Sequence, residues 1–243
     1  MLLEVCVDSL ESALIAQEAG ADRIELCSAL ELGGLTPSAG LIRRVRAALD
    51  IDIHVLIRCR AGDFCYTDAE IETMLYDADY AKSCGVNGVV FGALNPDGEI
   101  DTHSLGLIRA ACEPLSITFH RAFDFCPKPL DRLESLIEQK IDRVLTSGAY
   151  PSALEGVMKL AKLHNQAAGR IRILAGGGIN SQNALELVEK SGVQELHFSA
   201  TKYIDSLMRY RDTDFSLSLD GARDYLVRRA DFAEIKRIRE LFS

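Results

Sequence analysis

The sequence predicts a single-domain (β/α)8 barrel spanning residues 1–243, and three observations carry that expectation. Short runs rich in Val, Ile and Leu alternate with longer segments of helical period along the chain. Eight such runs can be found, with no long linker between them. A length of 243 residues also suits one closed barrel, a fold that takes roughly 250. A doubly wound open sheet, the competitor, needs fewer βα units.

The elements follow in order. Leu2–Val7 leads into "SLESALIAQEAG", where Gly20 stops the helix. Arg23–Cys27 precedes "TPSAGLIRRVRAAL", with Thr36 and Pro37 marking a helix start. Ile53–Cys59 is followed by "TDAEIETMLYDADYAKSCG", ended by Gly85. After Gly88–Leu94, Asp101 is placed to N-cap the next helix. Ser116–Phe123 precedes "KPLDRLESLIEQ", and Arg143–Ser147 and Ile171–Ala175 follow. The helix "NSQNALELVEKSG", closed by Gly192, leads to the last run, Glu195–Ser199. Residues 1–200 then hold the barrel, and 201–243 form a C-terminal helical segment closing it, with Leu219–Phe242 as the eighth helix.

Composition narrows the function classes. A net charge of -9 argues against a nucleic-acid partner, and the locally basic tail "RRADFAEIKRIRELF" reads as a solvated helix. No apolar stretch reaches the roughly 18 residues of a membrane helix. The N-terminus "MLLEVCVDSLE" has no positive region of a signal peptide. Seven cysteines, an odd count without a C-x-x-C pair, indicate free thiols in a reducing compartment. The expectation is a cytoplasmic protein.

Strand parity sorts the side chains. Leu3, Val5 and Val7 face the helices, leaving Glu4 and Cys6 inside; Arg23, Glu25 and Cys27 are likewise inward. His54, Arg58, Arg60, Thr118, His120, Glu195, His197 and Ser199 complete the predicted interior. Barrel interiors are normally layers of branched apolar residues, and an unpaired buried charge costs several kcal/mol. The expected resolution is that Arg23, Arg58 and Arg60 neutralise Glu4, Glu25 and Glu195. Deeper members such as Glu4, Arg23 and His54 serve as filling or as function equally well. Those at the C-terminal strand ends stand where such barrels keep their sites.

Two chemistries follow. Cys6 and Cys27, on adjacent strands, form a soft donor pair for Cu(I) or Zn(II), or else two small buried hydrophobes. Cys65 and Cys126, in loops near the mouth, are candidate extra ligands. Alternatively the mouth binds a small anionic metabolite. Gly176, Gly177 and Gly178 precede a helix in the place that barrels use for phosphate, beside Arg60 and Ser199. In an enzyme, His120 or His197 would act as general acid or base, Arg60 would hold developing charge, and Asp124 lies just beyond. Thr146, Ser147 and Gly148 would add donors, and Asp63 and Tyr66 would reach the pocket. No motif names a reaction.

The segments "RIELCSALELGGLTPSAGLI", "IRCRAGDFCYTDAEI", "GVVFGALNPDGEID", "TFHRAFD", "RVLTSG", "ILAGGGIN" and "ELHFSA" together resemble the CutC family of copper homeostasis proteins. The resemblance runs from Glu4 to about Ala200. It implies a TIM-barrel fold, a cytoplasmic location, a homodimer or higher homo-oligomer, and a copper homeostasis role with Cu(I) bound by Cys6 and Cys27. One departure is visible: the family's R-P-R is Arg58-Cys59-Arg60 here, which leaves both arginines in place.

Overall fold

Eight parallel strands close into a barrel in sequence order, each β1 to β8 beside its neighbours and β8 back beside β1. The computed structural model describes residues 1–212, 215–216 and 223–243. The strands are β1 (Leu2–Val7), β2 (Arg23–Leu26), β3 (Asp52–Leu56), β4 (Gly88–Phe91), β5 (Ser116–Phe119), β6 (Arg143–Thr146), β7 (Arg172–Gly176) and β8 (Glu195–Phe198). Helices α1 (Leu10–Glu18), α2 (Ala39–Arg46), α3 (Asp68–Ser83), α4 (Thr102–Cys112), α5 (Pro129–Glu138), α6 (Val157–Ala167) and α7 (Ala184–Ser191) make the crossovers.

Local chemistry starts and stops these helices. Ser9 and Ser38 cap α1 and α2, and Thr67 and Glu70 form a reciprocal capping box on α3. Asp101 caps α4 as the sequence predicts, and Gly192 ends α7 in the left-handed region at φ 73. The predicted start of α2 shifts by two residues. Thr36 is not its cap; its hydroxyl accepts from the Arg58 backbone N–H at 2.9 Å, tying the second mouth loop to the third.

The core lies between barrel and helices, where Leu3, Val5, Ile24, Ile53, Val89 and Phe119 face outward and are fully buried. A separate small cluster of Cys6, Cys27, Leu56 and Val90 sits inside the barrel.

The C-terminal expectation needs correction. The chain after β8 is not wholly helical: β9 (Thr201–Asp205) pairs antiparallel with β10 (Leu226–Ala230), and among the described residues helix follows only at α8 (Phe232–Glu240). Residues 219–222, the start of the predicted eighth helix, lie outside the described residues. Residues 226–230 are extended because their backbone groups pair with β9, and Asp231 then caps α8. The hairpin is anchored to the barrel by the Ala230 N–H donating to Ser12 Oγ at 3.1 Å. Among the described residues no helix is long and apolar enough to cross a membrane.

Candidate functional site

Register places the charged interior. Parallel pairing sets Glu4 beside both Arg23 and His197, and Cys6 beside Glu25. The Arg23 guanidinium, 2 % exposed, donates from Nε to Glu4 and from Nη2 to Glu195 Oε2 at 2.8 Å. Arg143 reaches the same Glu195 oxygen at 3.1 Å, and His197 Nδ1 donates to Glu4 Oε1 at 2.7 Å. The closed network is therefore real, but its cations are Arg23, Arg143 and His197.

Arg58 and Arg60, expected in that network, are not part of it. β3 ends at Leu56, so inward parity no longer applies beyond it. Arg58 turns into the mouth and donates to the carbonyls of Leu32, Gly34 and Gly62. Arg60 points away, bonded to Glu70 and Asp63 and lying 4.9 Å over the Tyr66 ring. With Arg60 go Asp63 and Tyr66, which serve that outer cluster rather than the pocket. Asp124 is also occupied. It accepts from Arg121 Nε at 2.7 Å, Ser147 Oγ at 3.1 Å and the Ala149 N–H at 3.0 Å. Thr146 donates to Asp124 too, so the sixth-strand loop is held by that carboxylate rather than left open for a ligand.

The two cysteines do meet. Cys6 Sγ and Cys27 Sγ lie 3.6 Å apart, both buried, and Cys6 donates to Glu25 Oε2 at 3.0 Å. Donor atoms of Cys6, Glu25 and Cys27 fall within 4.8 Å of one another, as do those of Glu4, Glu25 and His197. Neither group includes Cys65 or Cys126.

The electrostatics follow from burial and pairing. The bond with Cys27, burial and the Glu25 carboxylate push the Cys6 thiol well up. Cys27 is also raised: the bond from Cys6 favours its thiolate, but burial and Glu25 prevail. Burial opposes ionisation of Glu4, yet Arg23 and His197 outweigh it and hold that carboxyl well below the usual range. Glu25 has no arginine of its own; burial lifts it against the pull of His197. Burial would discharge His197, but Glu25, Cys6 and Glu4 raise it well above an ordinary imidazole. Both thiols thus hold protons at neutral pH, beside a cationic imidazole.

Above this floor opens a cavity of about 330 Å³, lined among others by Cys6, Glu25, His120, His197 and Ser199. Gly177 and Gly178 line it as predicted, whereas Gly176 belongs to β7. Gly177 adopts φ 113, which only glycine takes readily, and this turns the chain beside the mouth. Three arginines that the sequence did not single out for the mouth also line it or its floor. Arg58 and Arg121 come from the third and fifth loops, and Arg228 from β10. "TFHRAFD" could have flagged Arg121, which directly follows His120; nothing local marks Arg228, which a hairpin brings from the far end of the chain.

Comparison with known proteins gives the family. A sequence profile described as the CutC family matches residues 1–202. A human copper homeostasis protein cutC homolog is 44 % identical over 238 residues, covering 98 % of this chain and 87 % of its own. A family protein CutC of Histophilus somni is 46 % identical over 243 residues, 100 % of both. The crystal structure of a copper homeostasis protein CutC from Streptococcus agalactiae superposes with a TM-score of 0.79 at 30 % identity, covering 82 % of this chain and 98 % of that one. With its eight-stranded barrel and these matches, the chain belongs to the CutC family.

Proposed function

We propose that this chain serves copper homeostasis by binding Cu(I) through Cys6 and Cys27. The observation that carries the proposal is the 3.6 Å approach of two buried sulfurs. Thiolates are soft donors that select Cu(I) over hard cations, and Glu25 is near enough to be a third donor. Each thiol must lose its proton as the ion enters, so affinity climbs with pH. A reducing cytoplasm is the compartment that such a pair requires, since an oxidising one would join the sulfurs. Self-association fits the same proposal: Leu207, Met208 and Tyr210 stand exposed in one short stretch beyond β9.

The test is an anaerobic Cu(I) titration against a competing chelator. Wild-type protein is expected to hold the ion, and the Cys6→Ser/Cys27→Ser variant to lose it. Binding that the double substitution leaves unchanged overturns the proposal.

A further inference from the structure

The mouth contains polar groups that the copper site does not use. His120 is 6 % exposed. Its Nδ1 accepts the Ala122 backbone N–H at 3.1 Å, so in the neutral ring the proton belongs to Nε2. Among the described residues that buried Nε2 has no hydrogen-bond partner, and His120 lines the cavity. The ring is held by Phe64, whose centroid lies 4.9 Å away. Burial and the neighbouring Arg58 charge lower His120 to about 3, so near neutral pH it is a neutral donor.

Arg58 repeats the pattern. It is 5 % exposed, its Nη atoms donate to the carbonyl oxygens of Leu32, Gly34 and Gly62, and among the described residues its buried Nε has no partner. A buried guanidinium without a carboxylate is unfavourable on its own and becomes favourable when an anion arrives. Arg121, whose Nε and Nη2 are bonded to Asp124 and Ser147, keeps Nη1 beside the glycine turn: a Cβ on Gly177 would lie 3.5 Å from it. Arg228 adds a third guanidinium from β10 on the opposite side of the chain order. Guanidinium groups match phosphate oxygens in geometry and charge. Three of them with one neutral N–H donor suit a dianion better than a single carboxylate. The cavity of about 330 Å³ fits a compact molecule.

We propose that the barrel mouth is a binding site for a small organic phosphate, its phosphoryl oxygens held by Arg58, Arg121, Arg228 and the Nε2–H of His120. The site occupies the upper part of the same cavity whose floor holds Cys6, and its ligand groups are not the sulfurs. It takes up the expectation of an anionic ligand with different residues: Arg60 stands outside it, and Asp124 braces Arg121.

Isothermal titration with glycerol 3-phosphate, inorganic phosphate, malonate and glycerol tests this. Saturable one-to-one binding is expected for glycerol 3-phosphate, weaker binding for phosphate, and none for glycerol. Arg58 braces two loops, so substitution there risks the fold; Arg228→Gln and Arg121→Gln are the informative variants. Each is expected to weaken glycerol 3-phosphate about tenfold, as befits one lost charge-assisted bond, while Lys190→Ala on the exposed face of α7 leaves it unchanged. No saturable binding of either phosphate overturns the proposal, as does binding indifferent to both arginine variants. Malonate binding in place of the phosphates overturns the ligand class.

Discussion

Glu25 Oε2 accepts the Cys6 thiol at 3.0 Å, so a carboxylate and a sulfur share one proton inside the barrel. Removing the charge while keeping the shape separates the contribution of the acid from that of the thiols. Glu25→Gln is expected to weaken Cu(I) about tenfold, comparable to one lost charged contact, while Cys6→Ser/Cys27→Ser abolishes it. Competition with a chelator reads both. An unchanged affinity in Glu25→Gln would confine the site to the sulfurs.

Arg23 neutralises two buried acids at once, Glu4 and Glu195. Breaking a buried pair from one side costs about 3–5 kcal/mol, because the remaining charge is stranded. Arg23→Met is expected to fall in that range by urea unfolding. Lys190→Ala, which breaks the exposed 2.6 Å pair with Glu186, should cost no more than about 0.5 kcal/mol. Equal losses would contradict the role given to burial.

His120 makes stability depend on pH. Its folded pKa is about 3, below the ordinary value of 6.5, so between these values the unfolded chain binds the extra proton. Stability from this group is present above pH 6.5 and is lost as pH falls towards 3. The slope approaches about 1.4 kcal/mol per pH unit. His120→Asn, whose side-chain oxygen can still accept from Ala122, should flatten the decline between pH 6 and 4. Denaturant midpoints across that window measure it; an identical slope in the variant would argue against a buried neutral ring.

Gly92 gives His120 its room. A Cβ there would lie 2.5 Å from His120 Nδ1 and 3.2 Å from the Ala122 side chain. Gly92→Ala must therefore push the ring out of place, at about 1–3 kcal/mol by the usual cost of overpacking. The same variant should weaken glycerol 3-phosphate in titration. Intact stability and intact binding together would mean that the ring has space to spare.

Leu207 is fully exposed and Met208 is 56 % exposed. If this stretch joins two copies of the chain, Leu207→Glu with Met208→Glu should convert a dimer to a monomer in sedimentation. A wild type that already sediments as a monomer would remove the proposal.

The barrel was legible because strand parity and helix stops are local. Leu2–Val7 is recovered to the residue, and Glu4, Cys6, Arg23 and Glu25 face inward as parity requires. Parity misleads where the strand ends. Ile57 continues the apolar pattern and its N–H still bonds Val90 O, yet β3 stops at Leu56, and Arg60 swings out to Glu70. Arg143 went unassigned because parity was not carried to the sixth strand, whose outward side chains are few; here it bonds Glu195 and Ser116 inside the barrel. Arg121 aside, the partners of Asp124 run from Thr146 to Ala149 and come from another loop, which no local pattern shows. Arg228 was out of reach for the same reason: its position depends on pairing between segments whose register no local pattern records.

The charged interior also governs how the barrel comes together. Glu4 and Arg23 are 19 residues apart and can meet early, but His197 is 193 residues from Glu4 and Glu195 is 172 from Arg23. A barrel lacking β8 leaves Arg23 without its second acid and Glu4 without its imidazole. The ionic core therefore rewards the docking of the last strand against the first: the remaining partners of Glu4 and Arg23 arrive only when the longest loop closes.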